Sequence, residues 1–332
     1  MTTPTSQLRS TSIQPSKRRK RSAFWRYAPF WLPAFVLYSV FIVYPLATAV
    51  GYSVFAWDGL QRGQFVGLDN FVKLLTQDPW RTDLWQAFRH NVIFFVGTML
   101  AQNTVALFFA VILYNLKRGR QFWQNLFFMP YLLSTVLVGI LWNLILNPLF
   151  GPLNKVLKGL ETSLTTLLTG IGINLTVKLA YPWLGLPETA LGTIVVVNAW
   201  AWLSFPMMIF LANLGSIPKA YLEAATLDGA SSWQVFRHIQ FPLLRPALTI
   251  VTVLTFIGNF NAFELIFVMA GSDGSPAGST DVLGTFFYRT AFGTGPERIA
   301  IGSALAVLMF GFIALVSFIA LRLFRSEQVV YD

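Results

Sequence analysis

Six long apolar runs divide this chain and leave it few ways to fold. Only 11% of the residues are charged and 55% are hydrophobic, whereas soluble domains carry about 25% charged residues. Each run is long enough to cross a bilayer, because about 20 apolar residues in an α-helix span the hydrocarbon core. The predicted spans run approximately over residues 27–55, 91–116, 122–146, 189–214, 247–270 and 299–324.

These runs predict an all-α polytopic membrane protein with six transmembrane helices. The membrane domain covers residues 27–325, between a basic tail at 1–26 and a short tail at 326–332. Six spans place both termini on one face, and most of the 24 Lys and Arg residues fall on that face. The positive-inside rule therefore predicts that both termini are cytoplasmic.

The composition also excludes several kinds of chemistry. There is no cysteine, so the chain has no disulfide or thiol nucleophile, and His90 and His238 are too few for a histidine-rich metal site. No G-x-x-x-x-G-K-[ST] motif is present to cradle ATP phosphates. The net charge of +10 is concentrated beside the first apolar run and indicates topology rather than nucleic-acid binding. We expect neither an enzyme nor a chain that binds its own metal or cofactor.

The stretch from Ser216 to Pro246 separates the fourth and fifth runs and carries several charges. Since each charge costs about 2.5–3.5 kcal/mol inside a membrane, this stretch is predicted to be a loop outside the bilayer. Pro218 suits the first helical position, and Gly229 can end that helix in the left-handed conformation. Ser231-x-x-Gln234 has the form of a capping box. We predict two short helices, joined by a glycine hinge, along the membrane surface.

The same stretch carries a family resemblance. Its residues fit the spacing E-A-A-x3-G-x9-I-x2-P at Glu223-Ala224-Ala225, Gly229, Ile239 and Pro242. This resembles the EAA signature of the permease subunits of binding-protein-dependent ABC importers, and Asp228-Gly229 is most similar to the carbohydrate type (the maltose and glycerol-3-phosphate permeases). Phe241 stands where that family usually has Leu. Segments 65–71, 130–134 and 151–154 also resemble this group, so the resemblance covers roughly residues 27–325.

The resemblance implies a permease that translocates a carbohydrate or polyol across a bacterial or archaeal inner membrane. It implies two ATP-binding subunits that hold ATP and Mg, a second permease subunit forming a heterodimer, an extracytoplasmic solute-binding protein, membrane lipid around the spans, and no nucleic acid. The residues that it assigns to ATPase coupling are Glu223, Ala224, Ala225, Asp228 and Gly229. The alternative for this loop is an ordinary amphipathic surface segment without a partner.

A possible substrate path lies in the fifth run, where Glu264 is the one acid well inside an apolar sequence. Intramembrane ionisable groups face an interior and mark pathways. Asn259 and Asn261 are expected on the same helix face as Glu264, and Phe263 offers a ring that can stack on a sugar. The alternative is that Asn259 and Glu264 join neighbouring helices by hydrogen bonds.

Two further alternatives remain open from the residues alone. Segment 164–180 is predicted to be an interfacial helix or docking surface, with a seventh span as the alternative, although Asn174 and Lys178 interrupt it. An ion-driven secondary transporter would need more buried acid–base pairs and inverted repeats. A membrane-embedded enzyme would need convergent His, Asp or Glu at one depth.

Overall fold

The computed structural model describes residues 19–59, 61–171, 173, 175 and 178–323, with the backbone alone at 19–26. The predicted tail at 326–332, most of the basic tail, Asn174 and Arg325 lie outside the described residues. The chain forms two compact units that divide between Gly51 and Tyr52. Nearly all regular structure is helical, as predicted, apart from one two-stranded sheet.

The first unit is dominated by a long apolar helix with one distortion. Helix α1 covers Arg19–Tyr38, a π-helical turn covers Ser39–Val43, and α2 covers Tyr44–Ser53. The π turn stands directly before Pro45, whose ring and missing N–H disturb a regular α-helix. The helix therefore widens locally just before Pro45. The candidate span, Tyr27–Ser53, agrees with the predicted first span.

The second unit opens with more structure than the sequence predicts. Strands β1 (Phe55–Asp58) and β2 (Gln61–Phe65) form an antiparallel hairpin, followed by α3 (Asp69–Thr76). Helix α4 covers Trp80–Thr98 and continues through a π turn, Met99–Asn103, into α5 (Thr104–Asn115). The sequence predicts a loop up to His90, and this prediction is wrong for residues 80–90, which are helical. The polar residues from Trp80 onward form additional helical turns because they pack against α3 and the later helix α16.

Three of the predicted spans are bent. In the third, α6 (Arg120–Phe128) and a 3₁₀ turn (Pro130–Leu132) meet α7 (Thr135–Ile145) at 94°. In the fourth, α9 (Pro187–Trp202) meets α10 (Ser204–Ser216) at 47°. A third bent pair joins Ser232–Leu243 to Arg245–Phe260. If each bent pair counts as one span, the described residues hold up to six candidate spans by length and composition, the number predicted.

The long loop between the third and fourth spans contains α8, Pro152–Gly170. The helix predicted at 164–180 begins earlier than expected, because Pro152 occupies its first helical position. Asn154 anchors α8 by donating a hydrogen bond to Tyr181 O (3.1 Å) and accepting one from Trp183 Nε1 (3.0 Å). Helix α8 is not among the candidate spans of the described residues, so the structure gives a seventh span no support.

The last third of the chain departs most from the sequence-based expectation. Helices α11 (Lys219–Leu227), α12 (Ser232–Val235) and α13 (Phe241–Leu243) precede α14, Arg245–Phe260. The helix then breaks, and α15 covers only Glu264–Ala270, so the predicted continuous span at 247–270 is wrong. The expected loop at 271–297 contains α16 (Leu283–Phe292), and α17 (Arg298–Leu323) forms the sixth span as predicted.

The core of the second unit consists of three hydrophobic clusters. The first lies among α4, α7, α9 and α15, and the second joins α5, α10 and α14. The third joins α3, α4, α14, α16 and α17. The second cluster includes Leu222 of α11 and Leu244, and thereby attaches the 216–246 loop to the bundle.

Candidate functional site

The loop at 216–246 folds through two local capping arrangements. At the end of α11, Ala230 N donates to Ala225 O (2.9 Å) and Gly229 N donates to Thr226 O (3.1 Å), which is the Schellman pattern. Gly229 has φ +79°, the left-handed conformation predicted for it. Pro218 is the cap residue of α11 rather than its first helical residue, because its extended backbone places Lys219 first.

The second arrangement is the predicted capping box. Ser231 N donates to Gln234 Oε1 (2.7 Å), and Gln234 N donates to Ser231 Oγ (3.4 Å). It starts α12, which continues through a π turn, Phe236–Gln240, into α13. Helix α14 then leaves this short helical segment at 63°. The loop is therefore two short helices at a sharp angle to the following span.

The residues of the EAA signature lie on the exposed side of this loop. Glu223, Ala224, Asp228 and Gly229 are exposed, and Ala225 is half-buried. Leu222 faces the bundle instead. Sequence reasoning missed Leu227, whose side chain is 89% exposed at the tip of the loop. The signal available in the sequence was an apolar residue directly before Asp228-Gly229.

A cavity of about 390 Å³ lies where α14 ends and α15 begins. All four predicted substrate-path residues line it: Asn259, Asn261, Phe263 and Glu264. The expectation that they share one helix face is wrong, because the helix breaks at residues 261–263. The break itself brings them together, since it turns the start of α15 toward the same space as the last turn of α14.

The rest of the cavity comes from helices that the sequence did not connect with this site. Gln102 lies in the π turn after α4, Asn198 and Trp202 lie on α9, and Phe205 lies on α10. These residues are far from Asn259 in the sequence, so no local sequence pattern could predict that they share a cavity with it. The sequence shows only that amide and aromatic side chains interrupt otherwise aliphatic spans.

The amide groups of Asn259 and Asn261 donate to the backbone of their own helix. Asn259 Nδ2 donates to Thr255 O (2.7 Å), and Asn261 Nδ2 donates to Ile257 O (2.8 Å). Asn259 Oδ1 is buried and has no hydrogen-bond partner among the described residues. Because a buried acceptor without a partner costs about 1–3 kcal/mol, a ligand hydroxyl that bonds it gains that energy back.

Glu264 gives the cavity its only charge among the described lining residues. It is the first residue of α15 and is exposed, and its carboxylate lies where a helix N-terminus favours negative charge. No Lys, Arg or His is among the described residues that line the cavity. Phe263 packs against Tyr288 with ring centroids 5.2 Å apart, which fixes its ring at the cavity wall.

Neither site has the arrangement of a metal centre. The part of the chain that the structure describes contains no group of three His, Asp or Glu side chains placed to hold an ion. His90 Nδ1 instead donates to Asp281 O (2.8 Å), and His238 Nδ1 donates to Gln234 O (3.0 Å). Both histidines are thereby engaged with the backbone, His90 half-buried and His238 exposed.

Comparison with known proteins identifies the family of the chain. Residues 102–327 match the family model described as "Binding-protein-dependent transport system inner membrane component". The lactose transport system permease protein LacF of Rhizobium radiobacter is 31% identical over 310 residues, 91% of this chain and 97% of LacF. The multiple sugar-binding transport system permease protein MsmF of Streptococcus mutans is 27% identical and covers 94% of this chain and 99% of its own length.

A solved structure has the same fold. It is a bacterial alginate ABC transporter in complex with an alginate pentasaccharide-bound periplasmic protein, and one of its chains superposes with a TM-score of 0.74 at 20% identity, covering 93% of this chain and 97% of that one. The family match spans more than half of the chain, including the loop at 216–246 and the cavity. The chain therefore belongs to the binding-protein-dependent transport system inner membrane components, the permease subunits of ABC importers, as its Glu-Ala-Ala signature predicts.

Proposed function

We propose that this permease carries an uncharged sugar or polyol through the cavity at the α14–α15 break, driven by ATP hydrolysis in separate subunits. The observation that carries the proposal is the lining of the cavity. Amides, aromatic rings and one carboxylate surround it, with no cation among the described lining residues. Amides hydrogen-bond hydroxyl groups, and aromatic rings cover the apolar face of a sugar.

The charge of the lining favours a neutral substrate. Glu264 repels an anionic sugar, and no described lining residue supplies the Lys or Arg that would bind a phosphate or carboxylate. The names of LacF and MsmF, which refer to lactose and to multiple sugars, support a sugar as the substrate class. Alginate, an acidic polysaccharide, is the substrate named for the structural neighbour, and we do not extend it to this chain.

The loop at 216–246 is the proposed site of coupling to the ATPase. Its exposed tip holds Leu227 and Asp228, next to Glu223 and Ala224 on the same short helix. A short helix of this kind fits a groove on a partner, with small alanines permitting close approach. Movement of the partner then rotates α11 and, through Leu222, the bundle around the cavity.

The full importer then has two ATP-binding subunits that hold ATP and Mg, a second permease in a heterodimer, and an extracytoplasmic solute-binding protein. The loop at 216–246 and both termini face the cytoplasm. Helix α8 lies on the opposite side, as an interfacial helix or as a surface for the binding protein.

The test is uptake by the reconstituted complex. Proteoliposomes that contain the permeases and ATPases, supplied with the binding protein, should take up a labelled neutral sugar when ATP is inside. The same vesicles should not take up a uronic acid or sugar phosphate of equal size. The permease chain alone should hydrolyse no ATP. Uptake by this chain alone, driven by an ion gradient, would instead establish the secondary-transporter alternative.

A further inference from the structure

One buried amide connects three helices beside the cavity. Asn91 on α4 is fully buried. Its Nδ2 donates to Asn259 O in the last turn of α14 (2.8 Å), and its Oδ1 accepts from Leu283 N, the first residue of α16 (2.7 Å). Both partners are backbone groups at helix ends, where intrahelical bonds are incomplete. The nitrogen and the oxygen of the Asn91 amide therefore both form hydrogen bonds, and together they join the end of α14 to the start of α16.

The first turn of α16 lies directly on the helix break that shapes the cavity. A Cβ added to Gly284 would come within 2.3 Å of Ala262 O and 3.2 Å of Phe263 Cβ. Tyr288, one turn farther along α16, packs its ring against Phe263. Any displacement of α16 must therefore move residues 261–263.

The start of α16 is itself firmly held. The carboxylate of Asp281, 6% exposed, accepts two hydrogen bonds from Arg289 (2.8 and 3.1 Å) and one from Thr285 Oγ1 (2.8 Å). Burial opposes the charge of Arg289, but the hydrogen bonds and charge of Asp281 outweigh it, so the pKa of Arg289 is raised. His90 adds a bond to Asp281 O. We call residues 281–289 the α16 clamp.

We infer that Asn91 is a positioning residue for the substrate cavity: its amide joins the α16 clamp to the end of α14 and so fixes the backbone on which Asn259, Asn261 and Phe263 stand. This inference rests on the proposed function for its substrate. Asn91 does not line the cavity. Its effect on the substrate must therefore pass through the backbone at 259–263.

The physical reason is the lack of a replacement partner. Asn259 O keeps two backbone donors, Ala262 N (3.2 Å) and Asn261 N, but Leu283 N has no other acceptor among the described residues. Asn91 is fully buried, and a buried polar group that loses its hydrogen-bond partner is costly. Removing the Asn91 amide thus leaves a buried donor unpaired and releases the clamp from α14.

The chain itself provides the assay, because it contains no cysteine. A cysteine placed at Ala262, in the break, reports the exposure of that segment through its rate of reaction with a maleimide, and a cysteine at Ser232 in the 216–246 loop gives a reference. Both are measured in the assembled complex with and without Asn91→Leu. The matched control is Asn70→Leu. Asn70 is also a buried amide that donates to two backbone carbonyls, Ser53 O and Phe55 O, but it lies far along the chain from the break.

We expect Asn91→Leu, which removes both hydrogen bonds of the amide, to accelerate labelling at position 262 about tenfold and to raise the KM for sugar uptake about tenfold. Labelling at position 232 should not change, and Asn70→Leu should alter neither quantity. Gly284→Ala should reproduce both changes from the other side of the contact, which keeps the test decisive if Asn91→Leu does not assemble.

Equal labelling at position 262 with and without Asn91→Leu would overturn the inference. Faster labelling with an unchanged KM would also overturn it, because the break would then be mobile without consequence for the substrate. Failure of the proposed function looks different: the complex with wild-type Asn91 would take up no sugar, while labelling at position 262 would still respond to the substitution.

Discussion

The loop at 216–246 and the cavity at 259–264 are neighbours in the sequence but are built by opposite means. Each bond that shapes the loop joins residues at most five positions apart, from Ala225–Ala230 to Ser231–Gln234. The cavity instead takes its walls from α4–α5, α9, α10, α14 and α15, and Asn91 ties its backbone to α16. Short-range hydrogen bonds shape the loop, although Leu222 and Leu244 attach it to the bundle, whereas the cavity exists only when several distant helices are assembled.

The largest expected effect is at the tip of the loop. Leu227→Asp places a charge on the proposed contact with the ATPase, and losing one such anchor costs about 2 kcal/mol or more, a roughly 30-fold weaker association. Sugar uptake should fall accordingly while the melting temperature of the chain is unchanged, because Leu227 is exposed. The matched control is Leu149→Asp, at another highly exposed leucine, in the turn before α8. Equal losses in both variants would refute a specific contact at Leu227.

The next largest effect is expected on sugar binding in the cavity, with no change in the contact between the loop and the ATPase. Asn259→Leu removes the unpartnered Oδ1 acceptor, and we expect the KM for sugar to rise about tenfold. Binding of the ATPase should not change. Asn213→Leu is the control, because Asn213 makes the same type of bond to its own helix, Nδ2 to Ile209 O (3.1 Å), outside the cavity. Weakened ATPase binding by Asn259→Leu would break the distinction between the two regions.

A smaller effect is expected at the hinge of the loop. Gly229→Ala forces a side chain into φ +79°, at about 1–2 kcal/mol. Gly229→Asn should cost less, since Asn tolerates the left-handed conformation. The order Gly, Asn, Ala in uptake rate would show that backbone conformation at this position matters. No space restriction applies, because nothing lies within 4 Å of an added Cβ.

The smallest expected effect is a pH dependence of the attachment of α8, which the loop at 216–246 should not show. The pKa of Glu161 on α8 is lowered by hydrogen bonds from Ala180 N and Leu179 N. A lowered pKa means that this attachment is fully present above the ordinary value of 4.5 and is lost as the pH falls through the lower folded value. The protection of the Leu179 and Ala180 amides against hydrogen exchange, relative to their intrinsic exchange rate at each pH, should therefore fall in acid. The protection of Ser231 and Gln234 should not fall, since their capping groups are uncharged. Glu161→Gln should remove the difference.

The same contrast explains how far the sequence could predict the structure. Gly229, Ser231 and Gln234 were predictable because turn and cap chemistry depends on neighbours in the chain. The six apolar runs likewise predict six spans. The interruption at 261–263 was not predictable, because it is stabilised by Gly284 and Asn91 from distant parts of the sequence. The identity of the cavity residues Asn259, Asn261, Phe263 and Glu264 was predicted, but for the wrong geometric reason.

Glu264 also has a consequence for how the importer is made. Its carboxylate is exposed at the start of α15, and no cation lines the surrounding cavity among the described residues. A copy of this subunit inserted without its companions would keep an acidic side chain within the membrane domain with no partner subunit around it, and intramembrane acids are costly. We expect unassembled copies to be degraded quickly. Glu264, a side chain suited to transport, would then also ensure that only assembled permeases persist in the membrane.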